Sequence, residues 1–259
     1  EFLPAGYQHP KTGETSFRKE VDVFDVWFDS ACTHLAVLEG NVEPRWKEDL
    51  PCDLFLEGSD QHRGWFNVSL VVGVGCRGHA PYKAVVTHGM VVDEKGEKMS
   101  KRLGNAVDPV EASDQVGADI LRYWAASIDY EHDAPCSKDL LTIAGENYRS
   151  VRNTLRFLLG NLADYDAEAE VELSLLDQWV MQEANSLVEK VVRAYSRYEF
   201  NKALSLIHNF CVNELSKFYL DAIKDTMYCD GSNWPTRRGA QKACHYVLDR
   251  ITGLVAPIL

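Results

Sequence analysis

The sequence predicts an α/β domain over residues 1–136 followed by an all-α antiparallel helical bundle over 137–259. Up to about Asp133, short apolar runs alternate with Gly, Pro and Asp, the texture of short strands and helices in layers. After Ser137, apolar residues recur at spacings of three and four over long stretches, as on helices that bury one stripe. No internal repeat links the two parts, so they read as separate domains with a boundary near 134–138. Apolar residues make up 46% and charged residues 25% of the 259, which excludes a disordered chain.

The elements follow in order. Leu54-Phe55-Leu56 predicts a strand over 53–56, and Ala84-Val85-Val86 a second over 84–92. A helix-like stretch between them carries Gln61 and Trp65 four residues apart, on one face. Asp108-Pro109-Val110-Glu111 is a helix start, with a capping carboxylate, Pro at the first helical position and Glu placed to complete a capping box. That helical pattern continues through Ile120, Leu121 and Trp124. In the second domain, four apolar stripes begin near Leu140, Leu176, Phe200 and after Pro235, the number an antiparallel bundle needs. The acidic connection over 164–173 reads as a solvated linker.

Charge narrows the partners. The chain holds 27 Lys and Arg against 39 Asp and Glu, a net −12. Residues 1–137 carry 13 basic against 23 acidic side chains, and 138–259 carry 14 against 16. Bulk attraction to nucleic acid is excluded, so any such partner is held by local cations and shape. The seven cysteines are scattered without a Cys-x-x-Cys pair, which reads as reduced thiols in a cytoplasmic protein with no metal site. No apolar run reaches the roughly 18 residues of a membrane span. The opening Glu1-Phe2-Leu3-Pro4 lacks Met, so the chain reads as a piece of a longer protein.

Gly73-Val74-Gly75-Cys76-Arg77-Gly78 matches the dinucleotide fingerprint G-x-G-x-x-G, but His79-Ala80-Pro81 follows where a helix should open. It reads as a helix end, and Cys76 with His79 is half a metal site at most. Two other segments have more chemistry. Leu56 to Phe66 puts Glu57, Gly58 and Asp60 just beyond a strand, where an α/β sheet binds ligands, and carboxylates there can accept from a ribose or an ammonium. The alternative is a surface turn with Trp65 in the core. Thr87-His88-Gly89-Met90 ends the second strand, and Lys98-Met99-Ser100-Lys101-Arg102 follows after a turn. Three cations within five residues can clamp a polyphosphate; the alternative is a solvated basic turn.

Taken in order, Asp25-Val26-Trp27-Phe28-Asp29-Ser30, Leu56 to Phe66, His88-Gly89 and Lys98 to Arg102 resemble the class I aminoacyl-tRNA synthetases. The wording is closest to the bacterial-type isoleucyl-tRNA synthetase family, whose lysine loop reads Lys-Met-Ser-Lys-Ser. Further matches run through Gly117 to Arg122, Arg152-Asn153-Thr154, Phe157-Leu158-Leu159 and Phe218-Tyr219-Leu220-Asp221, so the likeness covers nearly the whole chain. It implies a Rossmann-like nucleotide-binding half-domain with the lysine loop, then an anticodon-binding helical domain. The implied activity is ligation of isoleucine to its tRNA, with ATP and Mg2+ as substrate, in a cytoplasmic monomer. By the same likeness Glu57, Gly58 and Asp60 line the adenylate around its ribose, and Gln61 and Trp65 border isoleucine. His88, Gly89 and Val91 meet adenine, and Lys98 and Lys101 stabilise the phosphates. Arg149, Arg152 and Arg156 form a stripe that could meet tRNA phosphates or pair with neighbouring helices.

The sequence departs from the pattern in places. Arg102 stands where the family has Ser, and the His-Ile-Gly-His element of the other half of the ATP site does not occur in these 259 residues. The editing insertion and the zinc-bearing tail are also not found; lacking the His-Ile-Gly-His half of the site, the chain by itself is expected to be inactive. A non-catalytic tRNA-binding module, the valine enzyme, and another adenylating α/β enzyme remain open as alternatives.

Overall fold

In a computed structural model of the chain, residues 3–39, 50–100, 102 and 104–259 are described. Lys101, one of the two cations expected to act on phosphates, lies outside them. The chain divides into two compact units, the first ending at His88 and the second running Gly89–Leu259.

In the first unit, α1 (Val26–Ala31) starts at Asp25, whose carboxylate accepts from the Trp27 amide at 2.8 Å. Strand β1 (Cys52–Gly58) leads through a 3-10 turn (Ser59–Arg63) into α2 (Trp65–Arg77), and β2 (Tyr82–His88) returns parallel to β1. Phe55 anchors the core of this unit, stacked on Trp65 with ring centroids 4.1 Å apart and packed against Phe66 and Tyr82. The glycine-rich run is the C-terminal part of α2, as its following Pro implied: Gly78 ends the helix at φ +76°. At Gly73, a Cβ would sit 2.8 Å from Pro81 Cδ, so glycine is there to let the returning chain close onto the helix.

Three local expectations are corrected. The predicted strand over 84–92 is two strands in different units, because β2 ends at His88 and β3 (Val91–Val92) pairs instead with β4 (Ala134–Pro135). Gln61 and Trp65 do not share a helix face: Gly64 separates the 3-10 turn from α2. The helix starting at Asp108 stops at Gly117, whose φ of +97° splits it into α3 (Pro109–Val116) and α4 (Ala118–Ser127).

Four stripes of the second unit become helices much as read: α5 (Lys138–Gly160), α6 (Leu175–Tyr195), α7 (Phe200–Asn209) and α10 (Pro235–Val255). A π-helical segment (Phe210–Tyr219), α8 (Leu220–Ala222) and α9 (Lys224–Cys229) continue from α7. From α5, Thr154 Oγ1 meets this segment at both Cys211 O, at 3.4 Å, and Ser216 Oγ, at 2.9 Å. Ser174 caps α6 in a reciprocal capping box with Asp177. The core runs from Val151 on α5 through Val180, Ala184 and Val191 on α6 to Val247 and Ile251 on α10.

The 164–173 connection is not merely solvated. Asp164 accepts from Arg237 Nη1 at 2.8 Å and Gln241 Nε2 at 2.7 Å, and Arg238 donates to its backbone oxygen. The Glu172 amide donates to Pro235 O, and a Cβ on Gly239 would overlap the Glu172 carbonyl. Both ends of the connection are therefore docked on α10.

Candidate active site

In the first unit, the parallel register sets Glu57 beside Thr87 and Gly58 beside His88, so the carboxyl ends of both strands lie side by side. This is the sheet edge where α/β folds receive ligands. Glu57 and Asp60 are exposed, Gly58 is buried, and Gln61, Trp65 and His88 are half-buried. Exposed carboxylates next to a buried glycine leave acceptors facing solvent beside backbone that a ligand can approach closely.

The expected amino-acid wall is built differently from a shared helix face. Gln61 Oε1 accepts from the Trp65 amide at 2.8 Å, taking a free N–H at the start of α2, while its Nε2 donates to Asp60 Oδ2 at 3.2 Å. The Trp65 indole N–H donates to Ser30 O at 3.1 Å, which fixes its ring plane against Phe55. Two neighbours went unread in the sequence. Trp27 lies against Gly64, where a Cβ would be 2.9 Å from its ring, and His62 Nε2 meets Thr87 Oγ1 at 3.0 Å. The Asp25 to Ser30 run was the available signal for Trp27; nothing in the sequence pairs His62 with Thr87.

The second unit holds the rest. The Gly89 amide donates to Tyr130 O at 2.8 Å, and the Met90 amide to Asp133 Oδ1 at 2.7 Å. A Cβ on Gly89 would overlap the backbone of His132, so this glycine has a packing role whatever ligand approaches it. Val91 is 44% exposed at the end of β3. A tight turn follows, in which Asp93 Oδ1 accepts from the Lys95 and Glu97 amides and Gly96 takes φ +78°. Lys98 then pairs antiparallel with Val92. Lys98 and Arg102 are exposed, and Met99 and Ser100 half-buried. Asn105 was also unread: its Oδ1 accepts from the Ser100 amide at 2.9 Å, and its Nδ2 donates to Asp93 Oδ2 at 2.9 Å. Those hydrogen bonds, Asn105 first, hold the Asp93 carboxyl below the usual carboxylate range.

On α5, Arg149, Arg152 and Arg156 are all exposed, and none enters a salt bridge among the described residues. Arg152 and Arg156 line a groove of about 500 Å³ shared with His245 and Thr252 of α10. All seven cysteines are free thiols, and burial pushes Cys211 and Cys244 up to about 12. Among the described residues no cluster of His, Cys, Asp and Glu suits a metal ion, and no helix is long and apolar enough to cross a membrane.

Comparison with known proteins matches two stretches of the chain to family models. Residues 4–137 match the family model of class I tRNA synthetases (I, L, M and V), and residues 177–259 match the anticodon-binding domain of tRNA ligases. The whole chain is 51% identical to an isoleucine–tRNA ligase of Carboxydothermus hydrogenoformans and 49% identical to one of Bacillus cytotoxicus. It spans 28% of the length of each of these curated relatives. Among solved structures, a LeuRS–tRNA–LeuAMS ternary complex of Agrobacterium radiobacter is similar over 97% of this chain and 32% of its own, with a TM-score of 0.72 at 18% identity. Mycobacterium tuberculosis methionyl-tRNA synthetase bound to methionyl-adenylate gives 0.71 at 21% identity, over 90% of this chain and 47% of its own. At those identities the likeness is one of fold.

Proposed function

Because the chain belongs to the class I tRNA synthetases (I, L, M and V), we propose that it is the part of an isoleucine–tRNA ligase that carries the lysine loop and the anticodon-binding helices. The functional division we assign is 1–136 for the catalytic part and 137–259 for the anticodon part. The observation that carries the reading is the parallel register placing Gly58 beside His88, with Asp60 and Gln61 on the turn that follows β1.

In this reading the isoleucine carboxylate attacks the α-phosphorus of ATP in line, and pyrophosphate leaves. The protein contributes position and charge, and no covalent enzyme intermediate is needed. Glu57, Gly58 and Asp60 hold the adenylate ribose, while His88 and Val91 approach adenine, with Gly89 allowing the chain to pass close by. Gln61 and Trp65 border the isoleucine side chain, and Trp27 joins them through its packing on Gly64. Lys98 and Lys101 meet the phosphates, together with the Mg2+ that ATP brings as substrate. The tRNA for isoleucine is the partner of the helices, with Arg149, Arg152 and Arg156 on its phosphates, in a cytoplasmic, monomeric enzyme.

Isoleucine-dependent exchange of pyrophosphate into ATP is the test, run on a full-length ligase carrying this sequence. Exchange should be seen with isoleucine and should be weaker with valine; exchange only with another amino acid would overturn the assignment. The 259 residues alone should give none, because they hold no His-Ile-Gly-His element. Lys101→Ala should cut turnover by roughly 10²–10³, the usual cost of one charge-stabilising group, with little change in the isoleucine KM. A loss under about threefold would make the loop a solvated turn.

A further inference from the structure

Between β3 and α3, one side chain ties the Lys98–Ser100 backbone to the Asp93 carboxylate. Asn105 accepts from the Ser100 amide through Oδ1 at 2.9 Å, and through Nδ2 it donates to Asp93 Oδ2 at 2.9 Å and toward Lys98 O at 3.5 Å. Asp93 is fixed in turn: its Oδ1 takes the Lys95 and Glu97 amides, and its own amide and carbonyl bond Glu97 O and the Gly96 amide. The tie is directional. The planar amide at 105 accepts from Ser100 through its oxygen and donates to the carboxylate at 93 through its nitrogen, which neither a carboxylate nor an alkyl side chain there can do.

We propose that Asn105 is a positioning residue, which with Asp93 as its anchor fixes the Lys98–Ser100 backbone at the site of activation. The inference rests on the ligase reading above. Lys98 is joined to the sheet by its antiparallel pairing with Val92. That pairing fixes one end of the Lys98-Met99-Ser100 run, and Asn105 fixes the other. A long flexible lysine presents its charge reproducibly only if the backbone beneath it is held, and misplacement by an ångström costs rate, not binding. The role is therefore felt in turnover more than in affinity.

A charge swap separates this role from a general loss of structure. In a full-length ligase carrying the sequence, Asn105→Ala should lower the turnover of isoleucine-dependent pyrophosphate exchange by about tenfold, the cost of one well-made hydrogen bond to the site, and leave the isoleucine KM unchanged. Asn105→Asp should be worse at neutral pH, because it sets two carboxylates face to face. Combining Asn105→Asp with Asp93→Asn restores one donor against one acceptor, and turnover should return to within about threefold of wild type. Amide hydrogen exchange over 94–107, read in the same proteins without substrate, should quicken in both single variants and slow again in the swap. An additive double variant, or unchanged protection in Asn105→Ala, would overturn the proposal; where Asn105→Ala fails to fold, the additivity of the swap alone decides. If the wild type lacks isoleucine-dependent exchange, the ligase reading fails, and the hydrogen-exchange arm decides whether Asn105 still holds Lys98 and Ser100.

Discussion

At Tyr219 a single hydroxyl decides whether a buried carboxylate is satisfied. Asp177 is 2% exposed, and it accepts from the Ser174 amide and hydroxyl on one oxygen and from Tyr219 on the other, at 2.6 Å. Burial, then the nearby Cys244 and Asp177, push the Tyr219 hydroxyl far above its usual range, so it stays a donor at any working pH. Tyr219→Phe keeps the ring and orphans one carboxylate oxygen. It should cost about 1–3 kcal/mol, read as a lower chemical-denaturation midpoint at unchanged slope. Tyr219→Phe with a midpoint equal to wild type would mean that water replaces the hydroxyl. The resemblance picked out the Phe218 to Asp221 run, but residue type alone does not show that its tyrosine reaches a capping residue on another helix.

Among the elements, the docked 164–173 connection carries a pH signature. Its Asp164 carboxyl is held well below the usual carboxylate range, chiefly by the Arg237 hydrogen bond and then by Gln241. A depressed folded value stabilises the protein above the unfolded value of about 4 and loses that contribution as pH falls. The stability gap between wild type and Asp164→Asn should therefore be open at pH 7 and narrow steadily below pH about 4 in denaturant titrations. A gap independent of pH would assign the effect to shape. Gly239→Ala is a second probe of the same dock, expected to lower stability by about 2 kcal/mol, read from the denaturation midpoint, because the added methyl meets backbone that cannot rotate away. On α5, replacing Arg149, Arg152 and Arg156 with Ala should weaken tRNA binding across sequences and reduce the slope of log affinity against log salt by about one per lost phosphate contact. An unchanged slope would remove the stripe from the interface. The long helices were legible because Leu, Val and Ala at three-and-four spacing leave one solution. Shorter elements were less so. Nothing in Ala84 to Val92 reports that Gly89 turns its amide to Tyr130, and a compact acidic run looks the same whether solvated or bonded to an arginine on a distant helix. Glu57, Asp60 and Lys98 are singled out by type and order, whereas Asn105 and His62 bond to partners that only folding supplies.

For the molecule as a whole, the compact division after His88 does not coincide with the 137 at which the family match ends. The second unit extends beyond its four long helices: Ile120 and Tyr123 of α4 pack with Ala144, Leu204 and Ile258, and Arg122 donates to the Ile258 carbonyl. Residues 138–259 contain the main core and should melt cooperatively alone, while 89–259 should melt several degrees higher because it keeps that second cluster covered. Equal melting temperatures by circular dichroism would show that α4 adds nothing to the bundle. The short pairing of β3 with β4 has a consequence for descent. Val91 and Val92 lie one strand spacing, about 4.8 Å, from Ala134 and Pro135. The stretch from Asp93 to Asp133 thus begins and ends side by side, and a lineage can change its length only where it is not packed on the bundle as α4 is through Ile120 and Tyr123.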